Sequence, residues 1–317
     1  MSKPDIAERY HRFACHEAHP TSPLYTQLAL GVASDPAILA LLNTLPAGQH
    51  HPTLLFASTR YLTGTPAGFP EFRETLFAQW HRIAAHMQRN HTQTNEPARC
   101  APVYPVLGTL PQPLTLIELG SSSGLCLHPD RYAYEVNGTT LGAPDSPVRI
   151  TCRSRGHLPQ STPPHVTRRI GIDLAPLDPR SPEDRDWLRS LVWPEHHERA
   201  ARLESALRLA ATEPVHVLHG DATSLLPEAV AAAPPGTTIV VTHTTTLTYL
   251  APEERRVLAK QIQHHGLHWI AQENPDALPF PSGVTRPAQH GNSLLLAHNT
   301  RPLAWTDPHT GDMCWLS

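Results

Sequence analysis

The N-terminal third of the chain alternates apolar and polar residues with the period of an α-helix. One apolar stripe runs from Ile6 to Ala14, and Asp35-Pro36 provides an N-cap followed by a proline in the first turn of a helix. This pattern predicts helices over 6–14, 24–32, 36–45, 54–62 and 69–87. Prolines and polar residues replace it over 88–113, which is typical of a linker. We therefore place a boundary near residue 112, after a helical N-terminal region over 1–111.

Beyond the linker, apolar runs of strand length alternate with segments of helical period. The pattern predicts strands at 114–118, 168–172, 215–219, 238–242 and 268–272, interspersed with helices over 198–211, 225–233 and 252–264. Two further strands, 293–298 and 303–305, are expected to close the fold as an antiparallel pair. Because strands that alternate with helices form mostly parallel sheets, residues 112–317 are predicted to form an α/β core.

Residues 130–165 interrupt this alternation. The run from Tyr132 to Thr140 alternates in polarity and contains Asn137-Gly138, the strongest short signal for a β-hairpin. Another strand is expected over 148–152, and the prolines of 156–165 favour a loop. We interpret 130–165 as a ribbon inserted into the α/β core and not as a separate domain.

Composition and charge argue against several classes of protein. The 317 residues carry 25 Lys and Arg against 28 Asp and Glu, a net charge of −3, which lacks the basic footprint of a nucleic-acid-binding protein. The five cysteines are scattered and show no CxxC pair, so neither a metal site nor a disulfide framework is expected. With no signal peptide and no apolar run of membrane-spanning length, we expect a soluble cytoplasmic protein.

The first predicted strand runs directly into a turn of small residues. Leu114 to Leu119 includes the carboxylate of Glu118 and leads into Gly120-Ser-Ser-Ser-Gly124. The two glycines permit positive φ angles and the close approach of a ligand. We expect this turn to open a helix, whose N-terminus attracts a polar or anionic group. A purely structural turn is the alternative interpretation.

Polar side chains follow the predicted strands at their carboxyl ends. These residues are Glu118, Asp173, Asp221, His243 and Glu273. In an open α/β sheet the ligand lies at the carboxyl ends of the strands, near the point where the strand order reverses. Each residue alone is more typical of a helix N-cap or a solvated loop, so it is the series that indicates a binding site.

The order of these motifs resembles that of class I S-adenosylmethionine-dependent methyltransferases. The matching segments are Glu118-Leu-Gly-Ser-Ser-Ser-Gly124, Ile172-Asp173, Gly220-Asp221-Ala222, and the strand 238–242 with Tyr249 to Arg255. From about residue 9 onward the chain also resembles the DUF2332 family, an actinobacterial family of unknown function with a methyltransferase-like core. The segments that carry this second resemblance are Ser22-Pro-Leu-Tyr25, 118–125, Gly171 to Asp178 and Leu191-Val-Trp-Pro194.

The methyltransferase resemblance implies a Rossmann-like fold and S-adenosylmethionine as the cofactor. It implies that Gly120, Ser122 and Gly124 bring backbone against the amino-acid part of the cofactor. It further implies that Glu118 orients this loop and the cofactor's ammonium. Serine at position 122 departs from the pattern, because a glycine usually stands in the middle of this loop.

The same resemblance also implies which residues contact the ribose and the adenine of the cofactor. Asp173 would accept the ribose hydroxyls, and Asp221 with Ala222 would meet the adenine. Asp173 follows Glu118 at an unusually long interval, because the ribbon intervenes. No usual nucleobase- or protein-methylating signature follows the strand 238–242, so the resemblance does not name the acceptor of the methyl group.

Candidate substrate contacts in the α/β core follow from residue chemistry. His243 is the best candidate for a base that takes the proton from the attacking atom, and hydrogen bonding within its loop is the alternative role. Arg131 and Tyr132 follow the Gly/Ser turn and could contact substrate, and the arginine suits an anionic group.

The helical region supplies further candidates. Extensions of this kind commonly lid the cleft in this architecture, and Tyr25, Arg60 and Tyr61 are the candidate inward residues. Alternatively, the tyrosines pack between helices and the arginines pair with Glu17 or Glu135.

Three functions are compatible with the sequence. The first is a methyltransferase acting on a polar or anionic small molecule in bacterial secondary metabolism, such as antibiotic biosynthesis. The second is a degenerate methyltransferase fold that catalyses another displacement or an elimination, including aziridine ring closure. The third is a non-catalytic partner subunit of another enzyme, with homo- or hetero-oligomers formed through the N-terminal helices. The near-neutral charge favours a small-molecule partner over nucleic acid or a membrane.

Overall fold

A computed structural model describes residues 5–19, 21–281, 283–287 and 293–316. The chain divides into two compact units, one made of residues 1–94 and 181–201 and the other of residues 95–180 and 202–317. Residues 95–111 therefore belong to the second unit, whereas 181–201 belong to the first. The boundaries of the two units therefore differ from the division into 1–111 and 112–317 that was expected from the sequence.

Helices α1 to α5 lie where the helical period predicts them, which confirms that part of the sequence analysis. Within the described residues no single helix has both the length and the hydropathy of a membrane span, and α2 and α3 reach them only as a pair bent by 86°. The α-helices are α1 (Ile6–Phe13), α2 (Pro23–Ser34), α3 (Pro36–Asn43), α4 (Pro52–Thr63), α5 (Phe69–Arg89), α6 (Cys100–Leu107), α7 (Pro182–Leu191), α8 (His197–Thr212), α9 (Ala222–Ala231) and α10 (Pro252–His264).

The first unit has an aromatic core. The ring of Tyr25 lies 5.0 Å from that of Phe56 and 5.6 Å from that of Trp193, measured between centroids. Glu195 accepts hydrogen bonds from Ser22 Oγ at 2.7 Å and from Leu24 N at 2.9 Å, at the N-terminus of α2. The segments around Ser22 and Trp193, which carry part of the family resemblance, therefore pack against each other.

Within the described residues, nine strands form one sheet, in the order β5-β12-β11-β10-β9-β8-β1-β6-β7. The neighbours from β7 to β9 in this order are parallel, and β9, β10, β11 and β12 pair antiparallel. A large, mostly parallel sheet with helices confirms the predicted α/β class. The strands are β1 (Leu114–Leu119), β2 (Ala133–Val136), β3 (Thr139–Gly142), β4 (Arg149–Cys152), β5 (Ser154–Arg155), β6 (Val166–Asp173), β7 (His216–His219), β8 (Thr238–Thr244), β9 (His268–Glu273), β10 (Leu294–His298), β11 (Arg301–Thr306) and β12 (Met313–Trp315).

The order of the sheet reverses between β1 and β8. From β1 the chain proceeds through β6 to β7, and it then crosses to the other side of β1 to form β8 and β9. Glu118 on β1 pairs with Gly171 of β6 on one side and with Thr242 of β8 on the other. Because α/β sheets bind ligands where the strand order reverses, the carboxyl ends of β1 and β8 mark the candidate site.

The strands behind this edge are buried by apolar contacts. Ile117, Leu119, Ile172, Val241 and Trp269 belong to one core cluster, and each is at most 2% exposed. Every residue of β1 is buried, as expected for a central strand covered on both faces. The apolar core fixes the register that brings the polar strand ends to one edge.

The inserted ribbon forms a small sheet of its own in the order β3-β2-β4. Val136 pairs with Thr139 around Asn137-Gly138, whose φ angles of 50° and 83° are those of a tight hairpin turn. This confirms the predicted hairpin. The ribbon then returns to the large sheet, where β5 pairs with β12.

The prediction of a linker over 88–113 is wrong, because α6 lies within it. Pro102 occupies the first turn of this helix, where its missing N–H has no partner to lose, and Pro105 lies inside the helix. Cys100, Tyr104 and Leu107 are buried along α6. Tertiary burial therefore outweighs the two prolines that argued against a helix.

The helix expected after the Gly/Ser turn is also absent. The chain instead forms two short 3₁₀ segments, Leu125–Leu127 and Pro129–Arg131. An α-helix starting at Leu125 would need the N–H of residue 129 to bond Leu125 O, and Pro129 has none. The hydroxyl of Tyr132 donates to Leu125 O instead, at 2.5 Å. An α-helix N-terminus is therefore not available at this loop to attract an anion.

Candidate functional site

The Gly120–Gly124 loop is held by Asp173, at the carboxyl end of the neighbouring strand β6. Asp173 Oδ2 accepts a hydrogen bond from Ser122 N at 2.7 Å, and Oδ1 accepts one from Ala175 N at 2.7 Å. Gly120, Ser122 and Gly124 have φ angles of 70°, 49° and 73°, all in the left-handed region. One carboxylate therefore stabilises both the loop after β1 and the turn after β6.

Asn95 provides a second clamp on the same loop. Its Nδ2 donates to Ser122 Oγ at 2.6 Å, and its Oδ1 accepts from Ser123 N at 3.2 Å and from Ser123 Oγ at 2.9 Å. Sequence reasoning missed Asn95, because it lies in the predicted linker and belongs to no recognisable motif. Since Ser122 is only 6% exposed, its side chain does not project from the loop into solvent.

Two glycines at this edge have packing reasons to be glycine, and the positive φ of Gly120 is a conformational reason as well. A Cβ atom at Gly120 would lie 2.6 Å from Thr246 Oγ1, in the loop after β8. A Cβ atom at Gly171 would meet Ser121, so the middle of β6 also needs glycine. The loops after β1 and β8 are thus in contact at the point where the strand order reverses.

A small cavity lies at the carboxyl ends of β1 and β8. Its volume of about 20 Å³ offers room for about one water molecule. Glu118 lines it, is 6% exposed, and has an Oε2 atom that bonds no other group of the described residues. The other lining residues are Arg99, Cys100, Val103, Leu107, Leu116, Cys126, Pro129, Thr242, His243, Thr244 and Ile270.

The electrostatics of this cavity favour a protonated Glu118. Burial raises the pKa of the Glu118 carboxyl well above its usual range, and the nearby acidic groups of Cys126 and Asp173 raise it further. The guanidinium of Arg99 acts in the opposite direction. Glu118 was expected to provide a carboxylate at the end of β1, but its surroundings stabilise the neutral form of its carboxyl group.

His243, the predicted base, belongs to a buried hydrogen-bonded chain. Trp269 Nε1 donates to His243 Nε2 at 2.7 Å, and His243 Nδ1 lies 2.7 Å from Glu273 Oε1. Glu273 Oε1 also accepts from the backbone N–H groups of Thr246 and Leu247, at 2.8 and 3.0 Å. Because Nε2 accepts a hydrogen bond, the imidazole carries its proton on Nδ1. This series of hydrogen bonds links β9 to the loop after β8.

Asp221 caps helix α9 at the end of β7. It accepts hydrogen bonds from Ser224 N at 3.1 Å and from the hydroxyl of Thr223. The Thr223 hydroxyl is the main cause that lowers the pKa of the Asp221 carboxyl. Asp221 and Ala222 are both half-buried, and the N-cap that was the alternative interpretation of Asp221 is present.

The carboxyl edge of the sheet exposes apolar as well as polar groups. Leu174, directly after Asp173, is 69% exposed, and Tyr249, in the loop after β8, is 80% exposed. Gly120 is exposed at the same edge, and Asp173 and Asp221 are half-buried. The strand ends thus present carboxylates and apolar side chains on strands that are neighbours or near neighbours in the sheet.

The predicted substrate residues of the second unit differ in their surroundings. Arg131 forms an exposed ion pair with Glu213, with Nε and Oε2 2.9 Å apart. Tyr132 is fully buried, and burial raises the pKa of its hydroxyl well above the usual range. Tyr132 is therefore part of the buried interior of the second unit, whereas Arg131 lies at the surface.

The predicted lid residues lie in the first unit. The Arg60 guanidinium donates to the carbonyl oxygen of Val192, and the Tyr61 ring stacks on His86 with centroids 4.7 Å apart. Tyr61 also packs edge-on against Trp187 at 6.1 Å. Each side chain thus has contacts inside its own unit, and the predicted substrate role of both stays a prediction.

Comparisons with known proteins identify a family and no activity. The family described as "Uncharacterized protein conserved in bacteria" (DUF2332) matches residues 7–315. No curated protein and no solved structure matches the chain. Among the described residues, no group of three or more His, Cys, Asp or Glu side chains is placed to hold a metal ion.

Proposed function

The chain belongs to the DUF2332 family, and we propose that its second unit binds S-adenosylmethionine and transfers the methyl group to a polar or anionic small molecule. The observation that carries the proposal is the reversal of strand order between β1 and β8. At this reversal a hydrogen bond joins the Gly120–Gly124 loop to Asp173, and Asp221 follows the next strand. A ligand that spans neighbouring strand ends would meet these groups in order.

The residues present suit a nucleoside cofactor. Each oxygen of Asp173 accepts one backbone N–H and retains a lone pair, which leaves acceptors for two ribose hydroxyls. Leu174 offers an exposed apolar side chain beside that carboxylate for the adenine face, with Asp221 and Ala222 after the next strand. Gly120 offers exposed backbone for the amino-acid part of the cofactor. Asn95 holds the Ser122 hydroxyl, so this side chain does not occupy the space proposed for the cofactor.

When bound, S-adenosylmethionine supplies an electrophilic methyl group on a sulfonium. This chain's residues would bind the cofactor, orient the substrate and exclude water, because methyl transfer depends mainly on in-line positioning. His243 positions the loop after β8 through Glu273. A role for His243 as the base requires that its Nε2 release the indole N–H of Trp269.

Glu118 has a defined task in this proposal. Its carboxyl group, whose pKa is raised by burial, lines the cavity. A cofactor ammonium brought near it would stabilise the carboxylate and release a proton to solvent. Binding measured in buffers of different ionisation enthalpy would detect that proton release.

Calorimetric titration with S-adenosylmethionine tests the proposal. We expect saturable binding to the parent protein and weaker binding to Leu174→Ala by about tenfold, since the lost apolar contact is worth about 1–2 kcal/mol. Because Leu174 is 69% exposed, this change should leave the thermal unfolding midpoint unchanged. The matched control is Val257→Ala, at a 40% exposed position on α10.

Absence of binding to the parent protein would refute the cofactor proposal. Equal affinity in Leu174→Ala and the parent would instead refute the placement of the adenine at this edge. If the cofactor binds, incubation with methyl-labelled S-adenosylmethionine and a panel of carboxylated, phosphorylated and hydroxylated small molecules tests the transfer itself. A bound cofactor with no label transferred to any of them would argue against the methyl-transfer step.

A further inference from the structure

Two cysteines that no proposed role uses meet in the cavity at the strand reversal. Cys100 is the first residue of α6, and Cys126 lies in the 3₁₀ turn that follows the Gly/Ser loop. Cys100 Sγ donates to the carbonyl oxygen of Cys126 at 3.6 Å, and Cys126 Sγ donates to the carbonyl oxygen of Glu96 at 3.6 Å. Both are free thiols, and both line the cavity.

The two thiols differ in their surroundings. Cys100 is 2% exposed, whereas Cys126 is half-buried. The neighbouring Cys100 side chain lowers the pKa of the Cys126 thiol, burial opposes this, and the guanidinium of Arg99 lowers it further. Burial raises the pKa of the Cys100 thiol. Low thiol pKa, partial exposure and an adjacent second thiol are the features of redox-reactive cysteines.

We propose that Cys126 is a site of oxidation by hydrogen peroxide and that Cys100 resolves the product to a Cys100–Cys126 disulfide. The contact of the Cys100 thiol with the main chain of Cys126, the cavity that both residues line and the adjacent Arg99 carry this proposal. It does not depend on the proposed function, because it concerns side chains that the cofactor would not touch.

The chemistry balances in two steps. The Cys126 thiolate attacks one oxygen of hydrogen peroxide, the O–O bond breaks, and the hydroxide that leaves takes up the proton lost by the thiol, which gives a sulfenic acid and water. Cys100 sulfur then attacks Cys126 sulfur, the S–O bond breaks, and the leaving hydroxide takes the Cys100 proton as a second water. Two thiols are oxidised to one disulfide, and one peroxide is reduced to two waters.

The bond would tie α6 to the turn after the Gly/Ser loop. Cys126 is also one of the acidic groups that raise the pKa of Glu118, and a disulfide removes that group. Oxidation would therefore change the cavity that lies beneath the candidate site.

The test uses the full-length reduced protein. It is treated with a small excess of hydrogen peroxide, unfolded, and labelled with an alkylating agent. We expect two of the five thiols to lose their reactivity and to regain it after treatment with a reductant. Peptide mapping of the treated protein should recover one cross-linked pair, which contains Cys100 and Cys126.

Variants identify the attacking sulfur. In Cys100→Ser, peroxide should leave a sulfenic acid at Cys126 that dimedone traps, whereas Cys126→Ser should form no cross-link. Cys152→Ser is the matched control, since Cys152 is a buried cysteine on β4 outside the cavity lining, and it should behave like the parent. The parent protein needs no substitution for the cross-link test, so a variant that fails to fold leaves the proposal testable.

Two results would overturn the proposal. One is that all five thiols of the peroxide-treated parent protein still react with the alkylating agent. The other is that the cross-linked pair contains a cysteine other than Cys100 and Cys126.

Discussion

His243 Nδ1 lies 2.7 Å from Glu273 Oε1, and neither side chain is exposed to solvent. The imidazole is held from the other side by the indole of Trp269, so each ring nitrogen has a partner. Glu273 in turn accepts two backbone N–H groups from the loop after β8. The arrangement makes this pair a support for the loop that contacts the Gly/Ser turn.

Loss of the Glu273 carboxylate should release the loop after β8. Glu273→Ala removes the acceptor of three hydrogen bonds, and we expect a loss of about 3 kcal/mol or more in the free energy of unfolding. Glu273→Gln keeps an acceptor at the same position and should lose about 1–2 kcal/mol. Urea unfolding followed by circular dichroism measures both, and equal losses in the two variants would contradict the role assigned to Oε1.

His128 should make the protein less stable in acid. Burial, with Arg169 and Arg131 nearby, lowers the pKa of His128 to about 3 from the ordinary value of 6.5. Between these values the unfolded chain binds a proton that the folded protein excludes, so stability falls as the pH falls below 6.5. The expected slope is about 1.4 kcal/mol per pH unit for one proton.

The pH dependence has a direct control. In His128→Leu the slope assigned to His128 should disappear, whereas His264→Gln, on an exposed face of α10, should keep it. Urea unfolding of the three proteins from pH 7 to pH 4 makes the comparison. An unchanged slope in His128→Leu would assign the acid sensitivity to another group.

Gly120→Ala should destabilise the protein without any ligand. The new Cβ would be strained at a φ of 70° and would lie 2.6 Å from Thr246 Oγ1. Strain and overpacking together should cost about 2–4 kcal/mol. The control is Gly236→Ala, at a φ of 79° with no atom within 4 Å of the new Cβ, which should cost only the strain, about 1 kcal/mol.

The difference between the two glycine variants isolates the contact with Thr246. Thermal unfolding of both proteins provides the measurement. Equal unfolding midpoints would mean that the loop after β8 yields easily to a larger residue. Loss of ligand binding in a Gly120 variant is then uninformative by itself, because the glycine has a structural reason to be there.

Replacement of Glu118 by glutamine should raise stability at neutral pH. Because the pKa of Glu118 is raised above 4.5 in the folded protein, this group loses its proton at a lower pH in the unfolded chain. The free energy of unfolding therefore decreases as the pH rises above 4.5. Glu118→Gln removes this cost, so its advantage over the parent should grow between pH 4 and pH 7. A constant difference across that range would show that Glu118 is ionised in the folded protein.

Patterns of polarity predicted the elements whose burial is strongest. The strands around Ile117 and Val241, and the hairpin at Asn137-Gly138, lie where the apolar runs and the turn signal predict them. These elements depend on local sequence, since a buried central strand must be apolar throughout and a tight hairpin needs residues that accept positive φ. The sheet could therefore be anticipated without a structure.

Contacts between distant residues could not be predicted in the same way. Pro102 and Pro105 argue against a helix, and the burial of α6 within the second unit overrides them. Asn95 holds a loop 27 residues away, and no local pattern distinguishes it from a linker asparagine. Glu118 was predicted at a strand end, but the raised pKa of its carboxyl depends on burial and on Cys126.

The position of Asn95 limits how the chain can be cut. A chain shortened to start at residue 112 would lose Asn95 and all of α6, and with them one clamp on the Gly/Ser loop and one wall of the cavity. The second unit is also discontinuous, because 181–201 belong to the first unit. No single cleavage therefore releases the α/β unit intact. We expect proteolytic fragments and truncated proteins to be unstable unless they retain both 95–180 and 202–317.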